Sequence, residues 1–226
     1  MKYALVTGSS RGIGHAIAER LSESGRVVFR NGRSAGGGPN FIQADLSTLN
    51  GVNLLADAVL ERVPALDCVV LNAGATCRKS FGEIEYPDWQ TVMDTNVNMP
   101  FFLVQRLSDR ISDGGSVVFI SSAMSLRPHA TSVPYGVTKA AVNMLAQCLV
   151  KELAPRGIRV NVICPGFIDT EWQKEKPEWL RAKIEGKIAL KRFGLPEEVA
   201  GMCLHMAENA YINGAVVPVD GGYDFE

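Results

Sequence analysis

The chain has neither an excess of charge nor a cluster of cysteine or histidine. Its 226 residues carry 23 basic and 24 acidic side chains, a formal net charge of -1. General electrostatic attraction to nucleic acid or to an anionic membrane is therefore not expected. The five cysteines are scattered without a C-x-x-C pair, and no HExxH segment is present. Neither a disulfide framework nor a metal site is predicted.

Long apolar runs are also missing. No run reaches the roughly 18 residues that a membrane-spanning helix needs. Residues 2–6 already have the composition of a strand, which leaves no room for a signal peptide, so we expect a cytoplasmic protein. No linker or internal repeat interrupts the chain, and its length suits a single domain over residues 1–226.

Short β-branched runs alternate with longer segments of helical periodicity. This alternation is typical of an α/β fold with a parallel sheet covered on both faces. Apolar stripes at three- and four-residue spacing predict the helices, including one continuous stripe over 89–107. Seven strands are predicted, at 4–7, 26–29, 41–43, 67–72, 116–121, 159–164 and 215–219.

The connection between the second and third predicted strands is short, because the loop has only eight residues, 33–40. A parallel crossover usually needs about a dozen residues. The run Ser-Ala-Gly-Gly-Gly-Pro at 34–39 is also poor in helix formers. We therefore predict that a mobile, glycine-rich loop replaces the covering helix.

A glycine-rich turn lies between the first strand and the first helix, where residues 7–14 read Thr-Gly-Ser-Ser-Arg-Gly-Ile-Gly. Glycines in this place let the backbone turn sharply and approach a pyrophosphate at the helix N-terminus. The predicted cofactor contacts in this loop are Gly8, Ser10, Arg11, Gly12, Ile13 and Gly14.

The end of the second strand has no acidic side chain and reads Arg-Asn-Gly-Arg at 30–33. An acid there would bind the ribose 2'-OH and repel a 2'-phosphate. Arg33 and Arg11 are instead suited to a 2'-phosphate, so NADP(H) is predicted rather than NAD(H). Asp45, beside Leu46 at the end of strand three, either accepts a hydrogen bond from the adenine amino group or caps the next helix.

Tyr135 and Lys139 are four residues apart in a predicted helix and share one of its faces. A phenol with a pKa of about 10 is a poor acid or base at neutral pH. A neighbouring ammonium group would lower that pKa. Many helices contain this spacing by chance, so the pair predicts chemistry only if other residues support it.

Further motifs accompany this pair. They are the glycine loop, Asn72-Ala73-Gly74, Asn96, Ser122 at thirteen residues before Tyr135, and Pro165-Gly166. In this order they resemble the short-chain dehydrogenase/reductase family over essentially the whole chain, with a likeness to its 3-oxoacyl-[acyl-carrier-protein] reductases. The resemblance implies a single-domain, Rossmann-type, doubly wound sheet. It also implies an NADP(H)-dependent oxidoreductase that interconverts a ketone and a secondary alcohol by hydride transfer.

The resemblance assigns roles to individual residues. Tyr135 would be the acid/base for the carbonyl oxygen, and Ser122 would hydrogen-bond that oxygen. Lys139 would hold the nicotinamide ribose and lower the pKa of the tyrosine, while Asn96 would order a proton-relay water. The further cofactor contacts that it implies are Leu46, Asn72, Ala73, Gly74, Pro165, Gly166, Ile168 through its backbone and Thr170 through its hydroxyl.

The substrate is left open. A mostly apolar pocket is expected beneath a charged helical lid at 171–190, and its predicted walls are Ala123, Met124, His129, Phe167 and Trp172. Residues 194–200 and 211–222 are similar to the 3-oxoacyl thioester reductases, whose substrate is carrier-linked. Residues 82–89 look equally like the sugar-acid and polyol dehydrogenases. A non-catalytic NADP(H)-sensing regulator is the alternative from another class.

The resemblance also implies a homotetramer or homodimer, built through the helices near Asp88 and Tyr135. Three features depart from the family's pattern. Leu71 replaces the first asparagine of Asn-Asn-Ala-Gly, and Ser125 stands where a glycine commonly follows the two serines. The helix after the second strand is missing, which would open the adenine end and weaken NADP(H) binding or its discrimination.

Overall fold

Seven parallel strands form one sheet in the computed structural model, which describes residues 1–128 and 132–223. They are β1 (Lys2–Val6), β2 (Arg26–Gly32), β3 (Phe41–Gln43), β4 (Leu66–Leu71), β5 (Ile111–Ile120), β6 (Arg159–Pro165) and β7 (Val216–Val219). Their order across the sheet is β3-β2-β1-β4-β5-β6-β7. The predicted doubly wound α/β fold is confirmed. Its strand order reverses between β1 and β4, and ligands of such sheets bind at the carboxyl ends of the strands there.

Eight α-helices lie within the described residues. They are α1 (Gly12–Glu23), α2 (Leu49–Leu60), α3 (Tyr86–Met93), α4 (Met99–Leu107), α5 (Val133–Leu153), α6 (Glu171–Lys174), α7 (Glu178–Gly186) and α8 (Pro196–Glu208). Side chains alternate between the two faces along each strand. On β1, Ala4 and Val6 pack with α1 and α8, whereas Leu5 packs with α2, α4 and α5. Two apolar cores therefore enclose the sheet.

The connection between β2 and β3 is a loop without a helix, as predicted. The side-chain amide of Gln43 donates to the Arg33 carbonyl oxygen at 2.9 Å, and the Phe41 N–H donates to the Gly38 carbonyl oxygen at 3.2 Å. A Cβ added at Gly36 would overlap the Phe41 ring, so the loop folds closely over this ring. The loop thus packs against the first residue of β3.

The stripe predicted over 89–107 is helical throughout, but it does not form one regular α-helix. A π-helical turn at Asp94–Asn98 separates α3 from α4. A π turn holds an extra residue, so the same apolar stripe continues on both sides while the side chains between them change direction. Asn96 lies in this turn and is buried.

The predicted lid at 171–190 contains the two short helices α6 and α7. On α7, Leu180 and Ile184 pack into a small third cluster with Ile188, Phe193 and Tyr223. This cluster is separate from the two main cores. In the described residues, no helix is long and apolar enough to cross a membrane.

Candidate active site

The N-terminus of α5 directs Tyr135 towards the carboxyl ends of β4 and β5. Ser132 caps the helix, because its hydroxyl accepts a hydrogen bond from the Tyr135 N–H at 3.3 Å. The same hydroxyl donates to the Cys77 carbonyl oxygen at 2.5 Å. The helix start is therefore attached to the loop after β4.

Lys139 follows one turn later and is only 4% exposed. Its Nζ donates to the Ile120 carbonyl oxygen at 2.8 Å, at the end of β5. The ammonium lies 5.5 Å from the centroid of the Tyr135 ring. Burial lowers the pKa of Lys139 to about 8, since the charged form loses hydration.

Tyr135 is half-buried, and burial raises its pKa to about 12. A hydrogen bond with Ser122 lowers that pKa by a smaller amount. The prediction that Lys139 brings the phenol towards neutrality is not met by this arrangement, because desolvation of the phenolate outweighs the other effects. Tyr135 is protonated at neutral pH and can donate a proton.

Ser122 lies two residues after β5 and is the N-cap of the 3₁₀ turn Ala123–Ser125. Its hydroxyl accepts a hydrogen bond from the Met124 N–H at 3.2 Å. A serine hydroxyl has two acceptor places and one proton. The backbone takes one acceptor place, so the proton remains for the phenol oxygen of Tyr135 or for a substrate oxygen.

Asn96 reaches the same region from the π-helical turn. Its Oδ1 accepts from the Ala75 N–H at 2.8 Å, and its Nδ2 donates to the Ala75 carbonyl oxygen at 2.9 Å. Nδ2 also donates to the Thr138 hydroxyl at 2.9 Å. A Cβ on Gly74 would lie 3.3 Å from Asn96 Oδ1 and 3.7 Å from Lys139 Nζ, so these two groups converge above Gly74.

The glycine loop lies beside Asn72 and Ala73. The Asn72 side chain donates to the carbonyl oxygens of Thr7 and Gly8, both at 3.0 Å. A Cβ on Gly14 would overlap the Asn72 amide and the Gly8 carbonyl, and one on Gly8 would lie 2.8 Å from Ala73 Cα. Gly8 also has φ 61°. Only glycine lets the backbone pass this close, as a pyrophosphate loop at the start of α1 requires.

Arg11 and Arg33 are both exposed, and within 1–128 and 132–223 neither guanidinium has an ion-pair partner. Arg30, by contrast, pairs with Glu19 at 2.8 Å. Asn31, where an acid would select NAD(H), is buried and donates to two carbonyl oxygens of the β3 region. Two free cations without an acid between them fit a 2'-phosphate.

Ser10, Ile13 and Gly32 complete this end of the site. A Cβ on Gly32 would lie 3.2 Å from Ser10 Cβ and 3.0 Å from the Phe41 ring, so glycine keeps the space beside Ser10 open. Ile13 packs against the α1 and α8 core and supports the loop from below.

Asp45 caps the turn before α2 rather than the helix itself. Its Oδ1 accepts from the Ser47 N–H at 3.0 Å, while the N-cap of α2 is Thr48, whose hydroxyl accepts from the Gly51 N–H at 3.1 Å. The helix-cap alternative for Asp45 is therefore wrong. Leu46 is buried beside Ala73 at the carboxyl edge of the sheet.

The segment after β6 faces the glycine loop. A Cβ on Gly12 would lie 3.4 Å from Thr170 Cγ2. Pro165 ends β6, and a Cβ on Gly166 would lie 2.7 Å from Asp220 Cβ. The Phe167 carbonyl and the Asp169 N–H both bond to Gly194. Among the described residues, Ile168 itself uses neither its N–H nor its carbonyl in a backbone hydrogen bond, which leaves both for a ligand.

The expected substrate walls are only partly brought together. Ala123 and Met124 form the half-buried turn after Ser122, next to Tyr135. Trp172 lies exposed on α6. Phe167 packs into the lid cluster, with its ring centroid 5.2 Å from that of Tyr223. His129 lies outside the described residues.

Thr138 is a residue that sequence reasoning missed. It is fully buried, accepts from Asn96 Nδ2 and donates to the Tyr135 carbonyl oxygen at 2.9 Å. The sequence offered one signal for this role, because Thr138 directly precedes Lys139 on a helix that packs against the sheet. No group of three His, Cys, Asp or Glu side chains in the described parts of the chain is placed to hold a metal ion.

A cavity of about 360 Å³ opens elsewhere, between the start of α3 and the loop after β3. No predicted site residue lines it; its walls are Ser47, Tyr86, Pro87, Gln90, Thr91 and Asp94. The chemistry is therefore placed by the converging side chains at the sheet edge, not by this cavity.

Known proteins are similar to this chain in both sequence and fold. A family model described as enoyl-(acyl carrier protein) reductase matches residues 8–224. The chain is 34% identical to a 3-oxoacyl-[acyl-carrier-protein] reductase of Aquifex aeolicus, over 98% of this chain and 96% of that protein. It is 36% identical to glucose 1-dehydrogenase 2 of Bacillus subtilis, over 98% and 94%.

A solved RhlG/NADP active-site complex from Pseudomonas aeruginosa superposes with a TM-score of 0.93 at 32% identity, covering 99% of this chain and 96% of that one. The chain belongs to the short-chain dehydrogenase/reductase family. It is an oxidoreductase that acts on CH–OH donors, as the resemblance implied.

Proposed function

We propose that this protein is an NADP(H)-dependent reductase of 3-oxoacyl thioesters, with Tyr135 as the proton donor. The observation that carries the proposal is the convergence of a protonated Tyr135 with Ser122, Lys139 and Asn96 at the carboxyl edge of the sheet. Relatives solved with NADP or NADPH support the choice of cofactor, together with Arg11 and Arg33.

When NADPH is bound, its nicotinamide would supply the hydride that reduces the carbonyl carbon. Negative charge then develops on the carbonyl oxygen, where the Ser122 and Tyr135 hydroxyls donate hydrogen bonds. Tyr135 delivers its proton to this oxygen. The ammonium group of Lys139 would hold the ribose hydroxyls of the bound cofactor. Asn96 and the Gly74 backbone frame the place beside Lys139 from which a water can return the proton to the phenol.

The raised pKa keeps Tyr135 in its acid form throughout the neutral range, as the proposed proton donation in ketone reduction requires. Alcohol oxidation needs the phenolate, which burial disfavours.

Positive charge near the lid supports an anionic substrate. Burial lowers the pKa of Lys176, between α6 and α7, and the nearby charges of Arg78 and Arg181 lower it further. Arg181 pairs with Asp169 at 3.2 Å. Within the described chain, Arg78 and Lys176 have no such partner. Phosphates of coenzyme A or of a carrier's phosphopantetheine arm would compensate this charge.

A sugar-acid or polyol dehydrogenase is the second candidate. The glucose 1-dehydrogenase relative supports it, and the same cations would accept the carboxylate of a sugar acid. A regulator that binds NADP(H) without turnover is the third. The polar groups around Tyr135 disfavour the regulator, because a protein that only senses NADP(H) does not need a proton donor at a fixed position.

We further propose that the protein assembles as a homodimer or homotetramer. Apolar side chains on the outer faces of α4 and α5 are exposed, and a second copy of the chain would cover them. They are Phe102, Val133, Val137 and Met144. Sedimentation of the purified protein tests this proposal, and a monomer at micromolar concentration would contradict it.

A substrate panel tests the reaction. NADPH oxidation is followed with acetoacetyl-CoA, its neutral N-acetylcysteamine thioester, a keto-sugar acid, diacetyl and crotonyl-CoA, and glucose oxidation is followed with NADP⁺. We expect the highest kcat/KM with acetoacetyl-CoA and a lower value with the neutral thioester. Preference for a sugar substrate would support the second candidate. Tight NADPH binding without any turnover would support the sensor.

A further inference from the structure

One face of α5 carries a third polar residue that the mechanism above does not use. Asn143 follows Tyr135 and Lys139 at four-residue steps, so all three lie along the same side of the helix. Asn143 is half-buried and lies against the 3₁₀ turn that begins with Ser122.

A directed chain of hydrogen bonds runs from this asparagine to Ser122. Asn143 Nδ2 donates to the Ser125 hydroxyl at 2.8 Å. The Ser125 hydroxyl donates its single proton to the Ser122 carbonyl oxygen at 2.6 Å. The thiol of Cys164 lies 3.5 Å from the same hydroxyl and 3.9 Å from Asn143 Oδ1.

The Ser122 carbonyl thus receives two hydrogen bonds from one residue, since the Ser125 N–H also donates to it at 2.9 Å. A glycine at position 125, the residue common in the family, could make only the backbone bond. Both of these bonds stay within the turn, but only the Ser125 hydroxyl also accepts the hydrogen bond from Asn143 on α5. Ser125 therefore couples the position of Ser122 to the helix that carries Tyr135.

We propose that Ser125 and Asn143 are positioning residues that hold the Ser122 hydroxyl in register with the Tyr135 phenol. Ser122 is joined to α5 in two ways: its hydroxyl bonds to Tyr135, and its carbonyl oxygen accepts from Ser125, whose hydroxyl accepts from Asn143. Two attachments on one rigid helix keep both donors aimed at one oxygen atom, which electrostatic stabilisation of a developing oxyanion requires.

The experiment compares Ser125→Gly and Asn143→Ala with the wild type, and it rests on the proposed thioester reaction. The rescue variant is Ser125→Thr, which keeps the hydroxyl, and the matched control is Asn53→Ala on the exposed face of α2. In both disrupted variants we expect kcat for acetoacetyl-CoA to fall about three- to tenfold, as for one lost hydrogen bond, with unchanged KM for NADPH. Ser125→Thr is expected to retain most of the wild-type kcat.

A pH profile separates positioning from mere stability. Since the Ser122 hydrogen bond lowers the pKa of Tyr135, a displaced Ser122 raises it. Oxidation of 3-hydroxybutyryl-CoA, which needs the phenolate, should then be slower than in the wild type at each pH below the pKa of Tyr135 in the two disrupted variants, and Ser125→Thr should restore it. A lower melting temperature with wild-type kcat and pH profile would overturn the proposal, as would a Ser125→Thr variant that is as slow as Ser125→Gly.

Failure of the proposed function is distinguishable from failure of this inference. If the wild type reduces no thioester, the proposed function is wrong, and the same comparison is made with whichever panel substrate the enzyme reduces. If it reduces none, hydrogen exchange of the amides at 124–126 is measured. Faster exchange in Ser125→Gly and Asn143→Ala than in Asn53→Ala would support the positioning role, and equal exchange would overturn it.

Discussion

The two ends of the proposed cofactor site are built in opposite ways. At the catalytic end, Asn96 and Lys139 are buried, and both are hydrogen-bonded to carbonyl oxygens of neighbouring elements. At the adenosine end, Arg11 and Arg33 are exposed, without an ion-pair partner among the described residues. Burial shifts pKa values and fixes geometry at the first end, whereas the second provides charge that water already screens. Substitutions at the catalytic end should therefore strongly change the reaction rate. Substitutions at the adenosine end should instead change the preference between NADPH and NADH.

The largest effect is expected at the catalytic end, from Tyr135→Phe. This change removes the proton donor and keeps the ring that packs over Lys139. Loss of general acid catalysis should lower kcat by at least about a thousandfold, with NADPH affinity nearly unchanged. Steady-state kinetics and fluorescence titration with NADPH measure the two quantities. Activity within tenfold of the wild type would exclude Tyr135 as the proton donor.

A large effect is also expected from Gly14→Ala at the start of α1. The added Cβ would overlap the Asn72 amide and the Gly8 carbonyl oxygen. The glycine loop must then move, and we expect NADPH affinity to fall by about a hundredfold and stability by roughly 1–3 kcal/mol. Calorimetric titration and thermal unfolding test this.

Gly201→Ala on α8 is the matched control, because no atom lies within 4 Å of the added Cβ. It should leave NADPH binding unchanged and stabilise the helix by up to about 1 kcal/mol. Equal NADPH affinity in the two variants would show that the glycine loop does not approach the cofactor.

An intermediate effect is expected from Arg33→Ala at the adenosine end. Losing one exposed guanidinium should reduce the ratio of kcat/KM for NADPH to that for NADH by about ten- to fiftyfold, with kcat nearly unchanged. Arg20→Ala, an exposed arginine paired with Glu23, is the control. An unchanged ratio in Arg33→Ala would contradict the assignment of the 2'-phosphate site.

The smallest effect is a few-fold dependence on pH that only the catalytic end should show. Burial lowers the pKa of Lys139 to about 8, so its ammonium is charged below that pH and neutral above it. We expect kcat/KM for NADPH in ketone reduction to fall as pH rises through about 8. A guanidinium keeps its proton on both sides of pH 8. The effect of Arg33→Ala on cofactor preference should therefore be the same below and above that pH. A flat profile would show that the charge of Lys139 is not needed.

The local patterns of the sequence predicted much of this molecule. β-branched runs marked all seven strands, and the eight residues before Phe41 excluded a helix between β2 and β3. The family resemblance, not a local pattern, singled out Ser122, which the structure places in hydrogen-bond contact with the phenol of Tyr135. The strand and loop predictions share a cause, because strand propensity and chain reach are properties of short segments.

Contacts between distant segments could not be predicted from the sequence. The π-helical turn that carries Asn96 is held by hydrogen bonds to Ala75, twenty-one residues earlier, and leaves the apolar stripe intact. Ser125 was recognised as a departure from the family's pattern, but its partner Asn143 lies eighteen residues away. Hydrophobic periodicity contains no information about either pairing.

The Tyr135/Lys139 pair shows the same division. By itself the sequence determined that both side chains share a helix face, because helical geometry places residues four apart together. Only the tertiary structure decided their protonation, since pKa values depend on how much water the surrounding elements exclude. Burial raises the pKa of Tyr135 to about 12 and lowers that of Lys139 to about 8, which makes the phenol a donor and the ammonium the group that titrates first.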